Sequence, residues 1–282
     1  GIIGAENGNG TGVSSIAGGT GKGDGVRLMT CQIFEGSRSA SDAHNAAAFI
    51  YAADNGACIA QCSYGNSYAL TSDEMYINGG EFNIDGKEVK VDGSPLENAA
   101  LKYFLDPANS NHQSLEGNIA VFAAGNHRQP YSSYPGALPY VISVTAFGAD
   151  YLPGGYTNYG PGTSVSAPGG DQDYYYDYVD ATHNYGEVGC ILSTLPYHIS
   201  ESGYGYMEGT SMSCPPVSGV VALGVSYATQ LRRHFKATEL QQMLINTATP
   251  IDQYMTGKKF YCRYVADIGP QQPMQLNMSS YK

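Results

Sequence analysis

Residues 209–231 constrain this chain more than any other stretch. Gly209-Thr210-Ser211-Met212-Ser213-Cys214-Pro215 sets a serine among small residues, and Val217, Val220, Val221, Leu223 and Val225 follow at a spacing that makes a helix apolar nearly all round. Such a helix must be covered on every side, so it predicts a large core with further layers about it. Pro215 and Pro216 are expected in the first turn, where a missing N–H costs least. Ser211 then stands at the leading end of the helix, its backbone N–H turned the same way as its hydroxyl, above the positive end of the helix dipole. A serine N-cap on a buried helix is the plain alternative. Acyl transfer asks for the same arrangement on chemical grounds: a nucleophile with a hydrogen-bond donor beside it for the oxyanion that develops.

The chain ahead of this helix alternates strand and helix. Residues 26–34 and 57–63 read as apolar strands, with a helix over 39–55 carrying Ala46, Ala47, Phe49 and Ile50 between them. That order is the βαβ unit of a parallel sheet. Residues 66–117 interrupt it, with a hairpin at 82–89 turning on Asp85-Gly86 and a helix over 95–105. Short apolar strands follow at 118–124 and 140–146, then a Gly/Pro loop over 148–170, a tyrosine-rich acidic stretch at 171–188, a short strand at 190–194 and an amphipathic helix over 237–247. The pattern predicts an α/β fold, a three-layer sandwich with a mostly parallel sheet, as a single domain over 1–282 with insertions at 66–117 and 171–188.

Composition narrows the partners. With 14 basic against 25 acidic residues the net charge is −11, which argues against nucleic acid. No apolar run reaches the length of a membrane span. The 24 tyrosines and the low share of charged residues, 14%, are associated with extracytoplasmic proteins, either secreted or of the cell envelope. Gly1-Ile2-Ile3-Gly4 does not read as a signal peptide. The six cysteines include no C-x-x-C, so buried free thiols are the first reading, with one or two disulfides as the other. Cys214, one helical turn from Ser211, is expected to point into the core.

The segment about Ser211 closely resembles the nucleophile motif of the subtilisin-like serine proteases (the subtilases, peptidase family S8). Asn118-Ile119-Ala120-Val121-Phe122-Ala123-Ala124-Gly125-Asn126 resembles the family's strand ending in the asparagine whose amide donates the second oxyanion hydrogen bond. The resemblance therefore implies Asn126 as partner of the Ser211 N–H, although Gly125-Asn126 alone is an ordinary turn dipeptide. Ser63-Tyr64-Gly65 and Ala123-Ala124-Gly125 are similar to the two walls of the family's primary specificity pocket. Small residues there let an extended substrate backbone pair as an added strand and leave room for a large P1 side chain. Tyr64 stands where the family usually has an aliphatic residue, which leaves the P1 preference open. Tyr159-Gly160-Pro161-Gly162, Ser166-Ala167-Pro168-Gly169, Ser193-Thr194-Leu195-Pro196 and Thr247-Ala248-Thr249-Pro250 extend the likeness over most of the chain.

Two motifs of the family are not in these residues: an aspartate in Asp-Thr/Ser-Gly and a histidine in His-Gly-Thr-His, both ahead of the serine. Gly1-Ile2-Ile3-Gly4-Ala5 resembles what directly follows that histidine, so the resemblance implies a chain incomplete at its N-terminus. It further implies a missing central strand, and hence a seam between 26–34 and 57–63 that is closed by direct pairing, by a second copy in a homo-dimer or by a separate N-terminal fragment. Of the six histidines, His127 is closest in sequence to the site and is expected in solvent on the oxyanion side. Losing the triad removes about a million-fold of rate. The expectation is a serine endopeptidase domain acting on polypeptides through an acyl-enzyme on Ser211 and inactive by itself; the alternative is a pseudoprotease that binds peptides or proteins in the old cleft. A non-proteolytic acyl hydrolase fits poorly, because the G-x-S-x-G elbow is missing. No cofactor is required and no metal ligand is assigned. The Asn7–Val13 loop resembles one that holds structural calcium in the family, with further ligands expected from outside it. Asp171, Asp173, Asp177, Asp180 and Glu187 are expected in a solvated loop near the cleft.

Overall fold

The computed structural model describes residues 1–34, 41–66, 69–70, 81–91, 93–172, 189–261, 264–265, 269–270 and 274–281. Its centre is a sheet of four parallel strands, β1 (Ile59–Cys62), β2 (Ile119–Ala123), β3 (Ile142–Phe147) and β4 (Val165–Pro168), in the order β1-β2-β3-β4. Ile59 pairs with Ile119, Val121 with Ile142, and Val144 with Val165. Every residue of β2 is buried. A parallel strand covered on both faces has no polar side to present, which is why its sequence is a plain apolar run.

The two faces carry separate cores. Helices α1 (Asp42–Asp54) and α2 (Pro95–Leu105) put Phe49, Leu101 and Phe104 against Ala120 and Phe122. Helix α3 (Thr210–Gln230) puts Cys214, Val217, Val221 and Val225 against Ile119, Val121, Ile142 and Val144, with α4 (Ala237–Thr247) behind it. The result is the α/β sandwich expected, helices on both sides of a parallel sheet. Helix α2 begins where its sequence says: Ser94 Oγ caps the Glu97 N–H at 3.2 Å and Pro95 opens the helix. The hairpin of Glu81–Ile84 and Lys87–Val91 turns on Asp85 (φ 52°) and Gly86 (φ 78°).

Five expectations need correction. Residues 26–34 form no strand; among the described residues the 26–28 backbone holds only one bond, Val26 N–H to the Ala17 carbonyl, and Leu28 is 61% exposed. Apolar composition does not make a strand without a ladder partner, and β1 pairs with β2 alone among the described residues. For the same reason β1 is half-buried over Ile59–Gln61 and not fully covered. Val165–Pro168, read as loop, is a sheet strand, because its proline closes the edge strand where no further N–H is needed. Helix α3 is not buried all round: Val220, Leu223, Tyr227 and Leu231 are exposed along one side. Pro215 and Pro216 lie in its second turn.

Asp171 is also not solvated. It is 1% exposed, and Lys259 Nζ lies 2.5 Å from its Oδ2 and 2.9 Å from Asp150 Oδ2. Asp173, Asp177, Asp180, His183 and Glu187 fall outside the described residues. Ile191–Thr194 pairs antiparallel with Tyr204–Met207, apart from the central sheet. Cys31, Cys58, Cys62 and Cys214 carry free thiols, the last two buried.

Candidate active site

Gly209 opens α3 with φ +144°, a conformation that a side chain resists. Its N–H reaches the Gly169 carbonyl at 2.9 Å, tying the helix start to the end of β4. Ser211 follows in the first turn, where backbone N–H groups have no partner within the helix. Its Oγ is half-buried and, among the described residues, reaches only the carbonyl of Ser63, at 3.4 Å. In return Ser63 Oγ donates to the Ser211 carbonyl at 2.8 Å. The reason lies four residues on: Pro215 has no N–H to give that carbonyl, so a side chain from the β1 end satisfies it. Gln61 Nε2 in turn donates to Ser63 Oγ at 2.6 Å.

Cys214 brings a thiol close to Ser211, and its surroundings silence it. It is 0% exposed, its Sγ donates to the Val121 carbonyl at 3.3 Å, and burial pushes its thiol up to about 11. A thiol kept protonated in the core does not attack.

Asn126 arrives from β2. Gly125 turns the chain at φ +111°, packed so tightly that a Cβ would fall 2.2 Å from Ser133 Oγ. The Asn126 side-chain oxygen then accepts two hydrogen bonds from one residue, Thr210 N–H at 2.9 Å and Thr210 Oγ at 2.7 Å. Thr210 Oγ itself accepts from Gly125 N–H at 3.2 Å. With its oxygen held from one side, the amide turns its NH2 to the other. A methyl built on Gly209 would lie 3.3 Å from Asn126 Nδ2 and 3.6 Å from the Ser211 nitrogen. Two N–H donors thus border one small volume that glycine leaves empty. Asn158 holds the turn from behind: its oxygen accepts from His127 and Gln129 N–H, and its NH2 donates to Ala124 O and Ser133 Oγ.

The structure therefore brings Ser211, Asn126, Ser63 and Gly125 together. Ala123 and Ala124 are buried beside them. Tyr64 turns away: its ring meets Phe122 edge-on at 5.8 Å and its hydroxyl donates to Glu97 at 2.8 Å. Thr210 and Asn158 were not singled out from the sequence. The first passes for a small spacer within the serine motif, and the second sits in a Thr-Asn-Tyr loop that carries no pattern.

No histidine or carboxylate among the described residues bonds to Ser211 Oγ. His127 is exposed and held by its backbone, and His44 sits at the start of α1 against Ser41. In the Asn7–Val13 loop Asn7 Oδ1 already accepts the Ser15 N–H at 2.7 Å, and the loop contains no carboxylate; by itself it does not make a calcium cage.

Comparison with known proteins is consistent across the chain. The model of the Subtilase family matches residues 1–270. The chain is 28% identical over 264 residues to the Thermophilic serine proteinase of Bacillus sp. (strain AK1), covering 94% of this chain and 48% of that protein. It is 28% identical over 184 residues to the Extracellular basic protease of Dichelobacter nodosus, covering 63% and 28% respectively. The chain thus spans half or less of the length of these curated relatives. In fold it is similar to the self-cleaved protease domain of PatA, with a TM-score of 0.60 at 23% identity over 90% of this chain and 74% of that one.

Proposed function

The chain belongs to the subtilase family, and from that premise we propose that Ser211 is the nucleophile of a serine endopeptidase. Its Oγ attacks the scissile carbonyl carbon, and the new oxyanion occupies the volume beside Gly209, between Asn126 Nδ2 and the Ser211 N–H. One observation carries this reading: two donor nitrogens from elements far apart in sequence border a volume whose centre no described heavy atom outside residues 208–210 approaches closer than 3.3 Å. Preorganised donors of that kind stabilise the transition state without having to reorient. The Oγ proton passes to a base as the acyl bond forms, and from it to the leaving amine as the C–N bond breaks.

We place that base, and the carboxylate that orients it, on a segment seated against the edge of β1 that no described strand pairs, supplied by a longer form of the chain, a second copy or a separate N-terminal fragment. The polypeptide substrate lies along Ser63–Gly65, with Ala123–Gly125 as the opposite wall. Calcium would be structural only, with carboxylates from outside Asn7–Val13. We assign the protein to the extracytoplasmic space, in keeping with the relative named extracellular; among the described residues no helix is long and apolar enough to cross a membrane.

The test is a fluorophosphonate probe on this chain and on a form that carries the sequence encoded upstream. Labelling at Ser211 in the longer form, and its loss in Ser211→Ala, is expected. No labelling in either form favours the second reading, a pseudoprotease that binds peptides, for which the observation is the unassisted Ser211 Oγ.

A further inference from the structure

Tyr156, in the loop between β3 and β4, touches both segments that carry the proposed oxyanion donors. Its backbone carbonyl accepts Arg128 N–H at 2.9 Å, two residues after Asn126. Its hydroxyl oxygen accepts Gly209 N–H at 3.0 Å, two residues before Ser211. The hydroxyl proton lies between two carbonyls, Gly170 at 2.7 Å and Gly169 at 2.9 Å. Burial raises this phenol above its ordinary 10, and the Glu208 carboxylate adds to the rise. The hydroxyl therefore stays protonated and serves as donor and acceptor at once.

Small neighbours admit the ring. A Cβ on Gly154 would fall 2.9 Å from its Cζ, and one on Gly169 would fall 3.1 Å from its hydroxyl oxygen. The residues that follow hold the Asn126 turn as well: Asn158 N–H donates to the Gly125 carbonyl at 2.9 Å, and Asn158 Oδ1 takes the N–H groups of His127 and Gln129. Of the hydrogen bonds that residues 156–158 make among the described residues, only that of the Tyr156 hydroxyl to Gly209 reaches the start of α3. Thr210 already ties Asn126 to α3 at one point. Two segments joined at one point can still rotate about it, and a second attachment removes that freedom. Pinning Gly209 N–H fixes the peptide plane from which the chain turns through Gly209 and Thr210 into Ser211.

We propose that Tyr156 is a positioning residue: its hydroxyl sets the tilt of the Ser211 N–H against Asn126 Nδ2, so that both donors point at one oxyanion. The inference rests on the oxyanion site given above and adds the residue that aligns it. Phenylalanine at 156 fills the same space, yet it leaves Gly209 N–H with the Gly169 carbonyl alone and takes a donor from Gly169 and Gly170. Hydrogen bonds weaken steeply when bent. Misaligned donors therefore cost the transition state, where the oxygen is charged, more than they cost the bound substrate.

Two measurements test it, and the first needs no turnover. In assigned proton–nitrogen correlation spectra of this chain, Tyr156→Phe should move the Ser211 amide and the Asn126 side-chain NH2 while the amides from Val217 to Val225 stay in place. Difluorotyrosine at 156 keeps the hydroxyl as a weaker acceptor and should move the same two signals by a smaller step; it carries the test alone if the phenylalanine variant does not fold. Unmoved signals overturn the proposal, and so do signals that move equally throughout α3, which would mean a general loosening. In the longer form, Tyr156→Phe should lower kcat about tenfold with KM within about twofold, and difluorotyrosine should recover most of the loss. In an Asn126→Ala background the same change should cost less than about twofold, because one of the donors to be aligned is gone. An equal factor in both backgrounds would make Tyr156 a structural residue only and overturns the proposal. Moved signals with no turnover in the longer form overturn the nucleophile and leave the brace standing.

Discussion

Ser63 and Ser211 clasp each other across 148 residues of sequence: the hydroxyl of Ser63 donates to the carbonyl of Ser211 at 2.8 Å, and the hydroxyl of Ser211 lies 3.4 Å from the carbonyl of Ser63. The stronger of the two contacts exists because Pro215 takes a helical N–H away. Fold and candidate nucleophile are therefore coupled through one residue that does no chemistry.

That coupling can be measured as a cycle. Ser63→Ala strands the Ser211 carbonyl and should cost about 1–2 kcal/mol in urea unfolding. Pro215→Ala returns an N–H to the helix, so Ser63→Ala in that background should cost markedly less, a coupling of about 0.5–1 kcal/mol. Additive costs would mean that the hydroxyl does not stand in for the missing donor.

Thr210 should act on the oxyanion through Asn126. In an active longer form, Asn126→Ala is expected to lower kcat about a hundred- to a thousand-fold. Thr210→Val keeps shape but frees the amide oxygen from one of its two bonds, and should lower kcat roughly tenfold with KM little changed, a loss equal to one neutral hydrogen bond. Thr210→Ser should restore it. A KM effect alone would place Thr210 in substrate binding.

Glu97 should give the protein a pH signature. Its carboxyl is raised above 4.5 by burial, with Asp42 on α1 adding to the rise and the Tyr64, Asn45 and Tyr134 groups opposing it by hydrogen bonds. The folded state therefore holds a proton that the unfolded chain has released. Its contribution is complete below 4.5 and is lost as pH rises through the higher folded value. Urea midpoints followed upward from that pH should fall in the parent and flatten in Glu97→Gln. Parallel profiles would show that another group sets the slope.

Lys259 should be costly to remove. It is 5% exposed, bridges Asp150 and Asp171, and sits 4.8 Å from the Tyr261 ring. Lys259→Met leaves the buried Asp171 and the half-buried Asp150 without their shared ammonium, and thermal or urea unfolding should register a loss of about 3–5 kcal/mol. Asp171→Asn, which keeps a polar partner for the ammonium, should lose less.

What could be read in advance follows from the range of the interactions. Helices at 95–105 and 237–247 and the hairpin at Asp85-Gly86 are set by caps, periodicity and turn residues that lie within a few positions of one another, and the structure places them as read. β2 announces itself because a strand covered on both faces is apolar throughout, and β3 because its buried run of Ile142, Val144 and Ala146 is broken only by the small hydroxyl residues Ser143 and Thr145. Residues 26–34 misled because a strand is a property of a pair. Asp171 misled because its partner stands 88 residues further along. That Asn126 meets the start of the Ser211 helix was legible from the two motifs, whereas Thr210's grip on Asn126 spans 84 residues and Glu97 looks like any acidic residue in a first helical turn.

Residue 209 answers to two masters. Its backbone angle of +144° excludes side chains for the sake of the helix start, and the volume that a side chain would fill is the one between Asn126 Nδ2 and the Ser211 nitrogen. An alanine there would act as a plug carried by the protein itself, set in the volume we propose for the oxyanion. Variation at this position is therefore closed twice over, once by conformation and once by occupancy, and a chain that kept its shape under such a change would still have lost its vacancy.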